Sequence, residues 1–158
     1  TDFEENLWNA KKREKIDDYR EYYSNNIHYL ERQDYYNLNH LNILSEFRNL
    51  KHNANILDYG CGKGGVIQAV KENYPDIRAV GWDPGHPSFK ERQPGPFDML
   101  ISTDVLEHIE PVFLDNVLKD INETFSKIAF LIIATSPAKK FLPDGRNAHL
   151  IVETPGWW

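Results

Sequence analysis

The sequence predicts an α/β fold, a mostly parallel sheet with helices on its faces. Three observations carry that expectation. A short apolar run, Ile56-Leu57-Asp58-Tyr59, enters the glycine-rich turn Gly60-Cys61-Gly62-Lys63-Gly64-Gly65, and a helical stretch follows to about Tyr74, stopped by Pro75. Strand-like runs recur at 77–82, 97–102 and 128–134. An amphipathic stretch over 111–125 separates the last two, as a crossover helix does between parallel strands.

Taken in order, residues 1–52 read as helical and contain no strand-like run. Leu38, Leu41, Leu44, Phe47 and Leu50 recur every third position, which approximates one helix face packed on a core. Tyr19, Tyr22, Tyr23, Tyr29, Tyr35 and Tyr36 fall here too, and amphipathic aromatics of this kind join helices while keeping their hydroxyls wet. Between Asp83 and Phe97 the prolines at 84, 87 and 94 and the glycines at 85 and 95 leave no room for a helix plus a strand, so an irregular loop is expected. The run at 128–134 is the most apolar in the chain and predicts a buried strand.

The chain of 158 residues fits a single domain, with a helical cap at 1–52 and an α/β core at 53–158. No apolar stretch approaches the ~20 residues of a membrane-spanning helix. The polar, mixed-charge first fifteen residues do not read as a signal peptide. Cys61 is the only cysteine, which excludes an internal disulfide and fits a reducing compartment, so a cytoplasmic location is expected. The formal charge of −6 argues against a protein that grips a phosphate backbone. The basic cluster Lys11, Lys12, Arg13 and Lys15 runs straight into Asp17 and Asp18 and reads as a solvated helix face.

The strand, turn and helix at 56–74 form a nucleotide-binding unit, because glycines let backbone approach a ligand where a Cβ would collide. Gly60, Gly62 and Gly65 also satisfy the dinucleotide fingerprint, with Asp83 near the expected distance for a ribose carboxylate. Three features favour a sulfonium nucleoside instead. Asp58 stands two residues before Gly60, where an acid suits a cationic ligand and opposes a pyrophosphate. A helical segment precedes the first strand, and there is no second, substrate domain.

On these residues, and on the stretches 56–65, 80–84 and 97–109, the sequence resembles the class I, Rossmann-like S-adenosylmethionine-dependent methyltransferases. The resemblance implies that Gly60 and Gly62 border the methionine moiety with Asp58 nearby. It implies that Asp83 accepts hydrogen bonds from both ribose hydroxyls, that Pro84 flanks the adenine, and that Thr103 and Asp104 close the site.

In Asp104-Val105-Leu106-Glu107-His108, a helical turn beginning at 104 would put Asp104, Glu107 and His108 on one face. Two carboxylates and an imidazole suit Mg²⁺, Mn²⁺ or Zn²⁺, and His149 lies in a loop able to reach the same sheet edge. The pattern is similar to the divalent-metal positions of ubiquinone-pathway O-methyltransferases and small-RNA 2′-O-methyltransferases, with Asp104 where Glu is usual. Many metal-free methyltransferases carry a comparable triplet, with the histidine as base, and both readings stand. Glu107 and His108 are the candidate catalytic residues, and Cys61 is a packing residue.

In the tail, 141–147 reads as a loop with a Pro-Asp-Gly turn, and Thr154-Pro155 resembles a helix start. The family fold would continue with a helix and hairpin. Without them a sheet edge is expected to stay uncovered, favouring a second copy or a partner chain, with Trp157 and Trp158 as the contact. The sequence therefore leads to methylation of a small-molecule oxygen, with or without a divalent metal. The rivals are an RNA 2′-O-methyltransferase, disfavoured by charge, a non-catalytic cofactor-binding module, and a nicotinamide-binding domain.

Overall fold

Ile56 and Leu57 face opposite sides of an extended chain and both are buried, so their strand must be covered twice. The computed structural model describes residues 53–158 and supplies both covers. The helical cap expected over 1–52 lies outside the described residues. Strands β1 (Asn55–Tyr59), β2 (Arg78–Trp82), β3 (Phe97–Thr103) and β4 (Phe125–Ile132) form one sheet in the order β2-β1-β3-β4, every neighbouring pair parallel. Helix α1 (Gly65–Asn73) connects β1 to β2. Two 3₁₀ turns, Leu106–His108 and Pro111–Phe113, lead into α2 (Leu114–Thr124), which connects β3 to β4.

Strand alternation sorts the core into two layers. Ile56, Ala79, Met99 and Ile101 pack with Val66, Ile67 and Val70 of α1. Leu57, Tyr59, Trp82 and Leu100 pack with Leu114, Val117 and Ile121 of α2. Phe97 joins Leu100 on the α2 side, although Met99, two residues on, faces α1. The pairing is irregular at this point, with the two steps from Phe97 to Met99 standing against three in β4, from Phe125 to Ile128.

The irregular loop expected before Phe97 is present, and between β2 and β3 the chain forms no helix or strand. Arg92 fastens this loop to α2. Its guanidinium donates to both oxygens of Asp120 (3.0 and 3.3 Å) and to Thr124 Oγ1 (2.6 Å), and lies 4.5 Å from the centre of the Trp82 ring. The Tyr59 hydroxyl donates to the same Asp120 carboxylate at 2.9 Å.

The most apolar run is not a buried strand. The strand spans Phe125–Ile132 and stands at the edge of the sheet, its side chains half-buried or exposed, with Leu131 at 38%. An edge strand has a neighbour on one side only, so apolar composition did not translate into burial among the described residues. None of the described helices is long and apolar enough to cross a membrane.

The order of strands also fixes where a ligand is received. From β1 the chain goes to β2 on one side, then to β3 on the other, so the connections leave the carboxyl ends of β1 and β3 in opposite directions and open a crevice between them. Core and edge give a contrast in stability. Leu100→Ala, in the fully buried centre of β3, is expected to cost about 2–5 kcal/mol in urea unfolding. Leu131→Ala on the half-exposed edge is expected to cost less than about 1 kcal/mol.

Candidate functional site

The bend after β1 is built by glycines that hold left-handed backbone. Gly60, Gly62 and Gly64 have φ of 76°, 51° and 81°, values that cost a residue with a Cβ roughly 1–2 kcal/mol each. At Gly60 a Cβ would also meet Val105 Cγ2 at 2.5 Å, and at Gly64 it would meet Phe89 Cζ at 2.8 Å. At Gly62 nothing lies within 4 Å of that position, so here the bend presents bare backbone to open space.

Asp83, just beyond β2, holds the bend in place. Its Oδ2 accepts from the Gly62 amide at 2.9 Å and its Oδ1 from the Gly85 amide at 2.9 Å. The Gly60 and Cys61 amides donate to Trp82 O at 2.8 and 3.2 Å, stitching the same two loops together. Pro84 follows in a turn closed by His86 N donating to Asp83 O. Asp58 lies beneath the bend, 4% exposed, and burial followed by the charge of Asp83 pushes its carboxyl up to about 7. Among the described residues no lysine or arginine forms an ion pair with either acid. A cationic ligand would relieve this pair.

Cys61 is half-buried, and burial with the two acids raises its thiol far above the ordinary range, so it stays protonated and packs. Thr103, buried, ends β3. Asp104 follows with φ of 51°, its amide donating to Ile132 O at 2.9 Å.

That left-handed residue corrects the expected helical turn from 104. Only Leu106–His108 is helical, and it is 3₁₀, so Asp104 stands outside the turn, while its carboxyl remains beside that of Glu107. The structure instead groups Glu107, His108 and His149, whose ligand atoms all lie within 4.8 Å of one another, and leaves Asp104 outside the group. Asp104 still bears on it. Burial raises the Glu107 carboxyl above its usual range, the amide of Ala134 restrains it, and the neighbouring Asp104 carboxyl adds to the rise.

The donor atoms of the three are oriented. His108 Nδ1 lies 2.6 Å from Ala148 O and His149 Nδ1 lies 2.5 Å from Ser136 O. A carbonyl only accepts, so each Nδ1 carries its hydrogen, and Nε2 is the nitrogen of each ring that a neutral imidazole offers as a ligand. The two rings sit edge to face with centroids 4.8 Å apart. Glu107 is fully buried. Its Oε1 accepts from Ala134 N at 3.0 Å, and its Oε2 has no hydrogen-bond partner. A buried carboxylate beside two imidazoles, with ligand atoms this close together, fits a divalent cation held by two nitrogens and one oxygen.

Sequence reasoning missed Val105 and Phe89, which press on the glycines, and it missed the residues that bring His149 to its place. For Asn147 the only available signal was a polar side chain two residues before the histidine in a turn-rich segment.

A family model described as a methyltransferase domain matches residues 27–157. No curated protein matches the sequence. Among solved structures the chain superposes on a DhpI–SAH complex with a TM-score of 0.51 at 14% identity, over 92% of this chain and 82% of that one. Coclaurine N-methyltransferase bound to N-methylheliamine and SAH gives a TM-score of 0.47 at 15% identity, over 78% of this chain and 50% of that one. PKMT2 from Rickettsia typhi in complex with AdoHcy gives 0.43 at 22% identity, over 52% and 21%. The chain thus corresponds to half of one of these proteins and a fifth of the other, while the DhpI match shows a shared fold.

The buried acid at 58 has a measurable consequence. Its pKa is raised in the folded protein, so the unfolded chain gives up this proton first as pH rises, and the group's contribution to stability declines between about pH 4 and pH 7. Asp58→Asn removes that decline. In thermal unfolding without ligand, the variant is expected to match wild type near pH 4 and to exceed it increasingly up to pH 7. A constant difference across that range would contradict the assignment.

Proposed function

The chain belongs to the methyltransferase domain family, and on that premise we propose that it is an S-adenosylmethionine-dependent methyltransferase acting on an oxygen of a small molecule. The observation that carries the cofactor is the open backbone at Gly62, set between a buried acid and a bracing one. Asp58 offers its negative charge to the ammonium and sulfonium end of the ligand. Gly60 and Gly62 admit the methionine moiety, and Asp83 keeps lone pairs for the ribose hydroxyls beyond the two amides it already accepts. Pro84 borders the adenine, and Thr103 and Asp104 bound the site from the end of β3.

S-adenosylmethionine supplies, when bound, a methyl carbon already electrophilic on its sulfonium. The protein's work is to hold the acceptor oxygen in line with that carbon and to take one proton, and positioning alone contributes up to about 7–11 kcal/mol. Transfer would form the C–O bond as the C–S bond breaks, the electron pair going to sulfur. Without a metal, His108 Nε2 is the general base that receives the acceptor's proton. Support for metal assistance comes from the same trio. Glu107, His108 and His149 would hold a divalent ion such as Mg²⁺, Mn²⁺ or Zn²⁺, whose Lewis acidity makes a nearby hydroxyl easier to ionise.

Isothermal titration is expected to show binding of S-adenosylmethionine and none of NAD. Asp83→Ala is expected to weaken that binding roughly ten- to hundredfold, as loss of hydrogen bonds to a charged acceptor does. Binding of NAD instead would overturn the cofactor, and no transfer of labelled methyl to any hydroxyl compound would overturn the activity. For the metal, added Mn²⁺ is expected to stimulate metal-stripped protein, and His149→Ala to abolish the stimulation. Equal rates with and without chelator would remove the metal and leave His108 as general base.

A further inference from the structure

His149 stands in a tail, residues 133–158, that has no helix and no strand to fix its direction. Its ring nevertheless lies against that of His108. The backbone around it is laced to the segment that carries the other two donors. Arg146 forks onto Glu110 at 2.9 and 2.7 Å, Ala148 O receives His108 Nδ1, and Ile151 N donates to Glu107 O at 3.0 Å. The Arg146 pair is exposed, and such pairs contribute little.

Asn147 makes a different kind of connection. Its Oδ1 accepts from Ala138 N and from His149 N, each at 2.9 Å, and its Nδ2 donates to Ala138 O at 2.9 Å. One side-chain amide thus clamps the chain leaving β4 to the backbone of the histidine itself. The clamp closes the base of the Phe141–Asn147 turn, whose ends form a single antiparallel bridge. Ser136, two residues before Ala138, supplies the carbonyl that takes His149 Nδ1. The clamp therefore sets both the backbone position and the ring orientation of His149.

We propose that Asn147 is a positioning residue that aims His149 Nε2 at the shared point of Glu107 and His108, an inference resting on the metal-assisted transfer proposed above. A chelating set tolerates displacement of a donor by only about 0.5 Å, so an anchor of this kind bears on affinity as well as on stability. A purely structural asparagine would move the melting temperature and leave the affinity for metal alone.

The test titrates metal-stripped full chain with Co²⁺, followed by visible absorption. Wild type is expected to develop a cobalt band. Asn147→Ala is expected to lower the cobalt affinity about ten- to hundredfold, with binding of S-adenosylmethionine unchanged. Asn147→Gln keeps both amide groups on a longer arm that cannot serve Ala138 and His149 together, and is expected to lose affinity likewise. It decides the matter where the alanine variant does not fold. Wild-type cobalt affinity in the variants would overturn the positioning role, whatever their melting temperatures. Absence of a cobalt band in wild type would overturn the metal and this inference together, while the methyl-transfer assignment stands or falls on the titrations with S-adenosylmethionine and NAD.

Discussion

Asp83 joins two loops through one side chain. Its carboxylate takes the Gly62 amide on one oxygen and the Gly85 amide on the other, so the bend after β1 and the turn after β2 share one anion. A run of left-handed glycines leaves amides pointing out of regular structure, and each needs an acceptor. The cost appears one layer down. Asp58 is buried near a second acid, and among the described residues no lysine or arginine pairs with either, so burial of this charge costs stability as pH rises toward neutral. A ligand of the opposite charge would relieve this pair.

The second group of donors depends on the same topology. Because all four strands run parallel, the segments that follow β1, β3 and β4 emerge at one edge of the sheet. Glu107 and His108 come from the segment after β3, and His149 comes from the tail after β4. Contacts from residues 146–151 back to residues 107–110 replace the hydrogen-bond ladder that this tail lacks. Buried Ile151 anchors the tail in the core shared with α2, which gives the lacing a fixed base.

Much of this was legible in the sequence because it rests on local chemistry. Glycines at 60, 62 and 64 specify a turn without reference to distant residues, whereas the burial of Asp58 and the bracing of the Gly62 amide by Asp83 appear only in the folded chain. Prolines at 84, 87 and 94 excluded regular structure as directly. The failures share a cause as well. Burial of the strand at 125–132 depends on its place in the sheet order, which apolar composition does not encode. The helical turn expected from Asp104 depended on one backbone angle, and the left-handed Asp104 delays the turn to Leu106. Asn147 was illegible because its partner, Ala138, lies across a turn whose closure only the folded chain reveals.

The central claim is that a main-chain bend with one acid beneath it and another bracing it receives the amino-acid end of a sulfonium nucleoside. A crystal structure with S-adenosylhomocysteine bound tests it most directly. The account predicts density with the ligand's ammonium on the Asp58 side of Gly60 and Gly62, and with both ribose hydroxyls on Asp83. A bend left empty, or occupied by a diphosphate with the sugar turned away from Asp83, would contradict it.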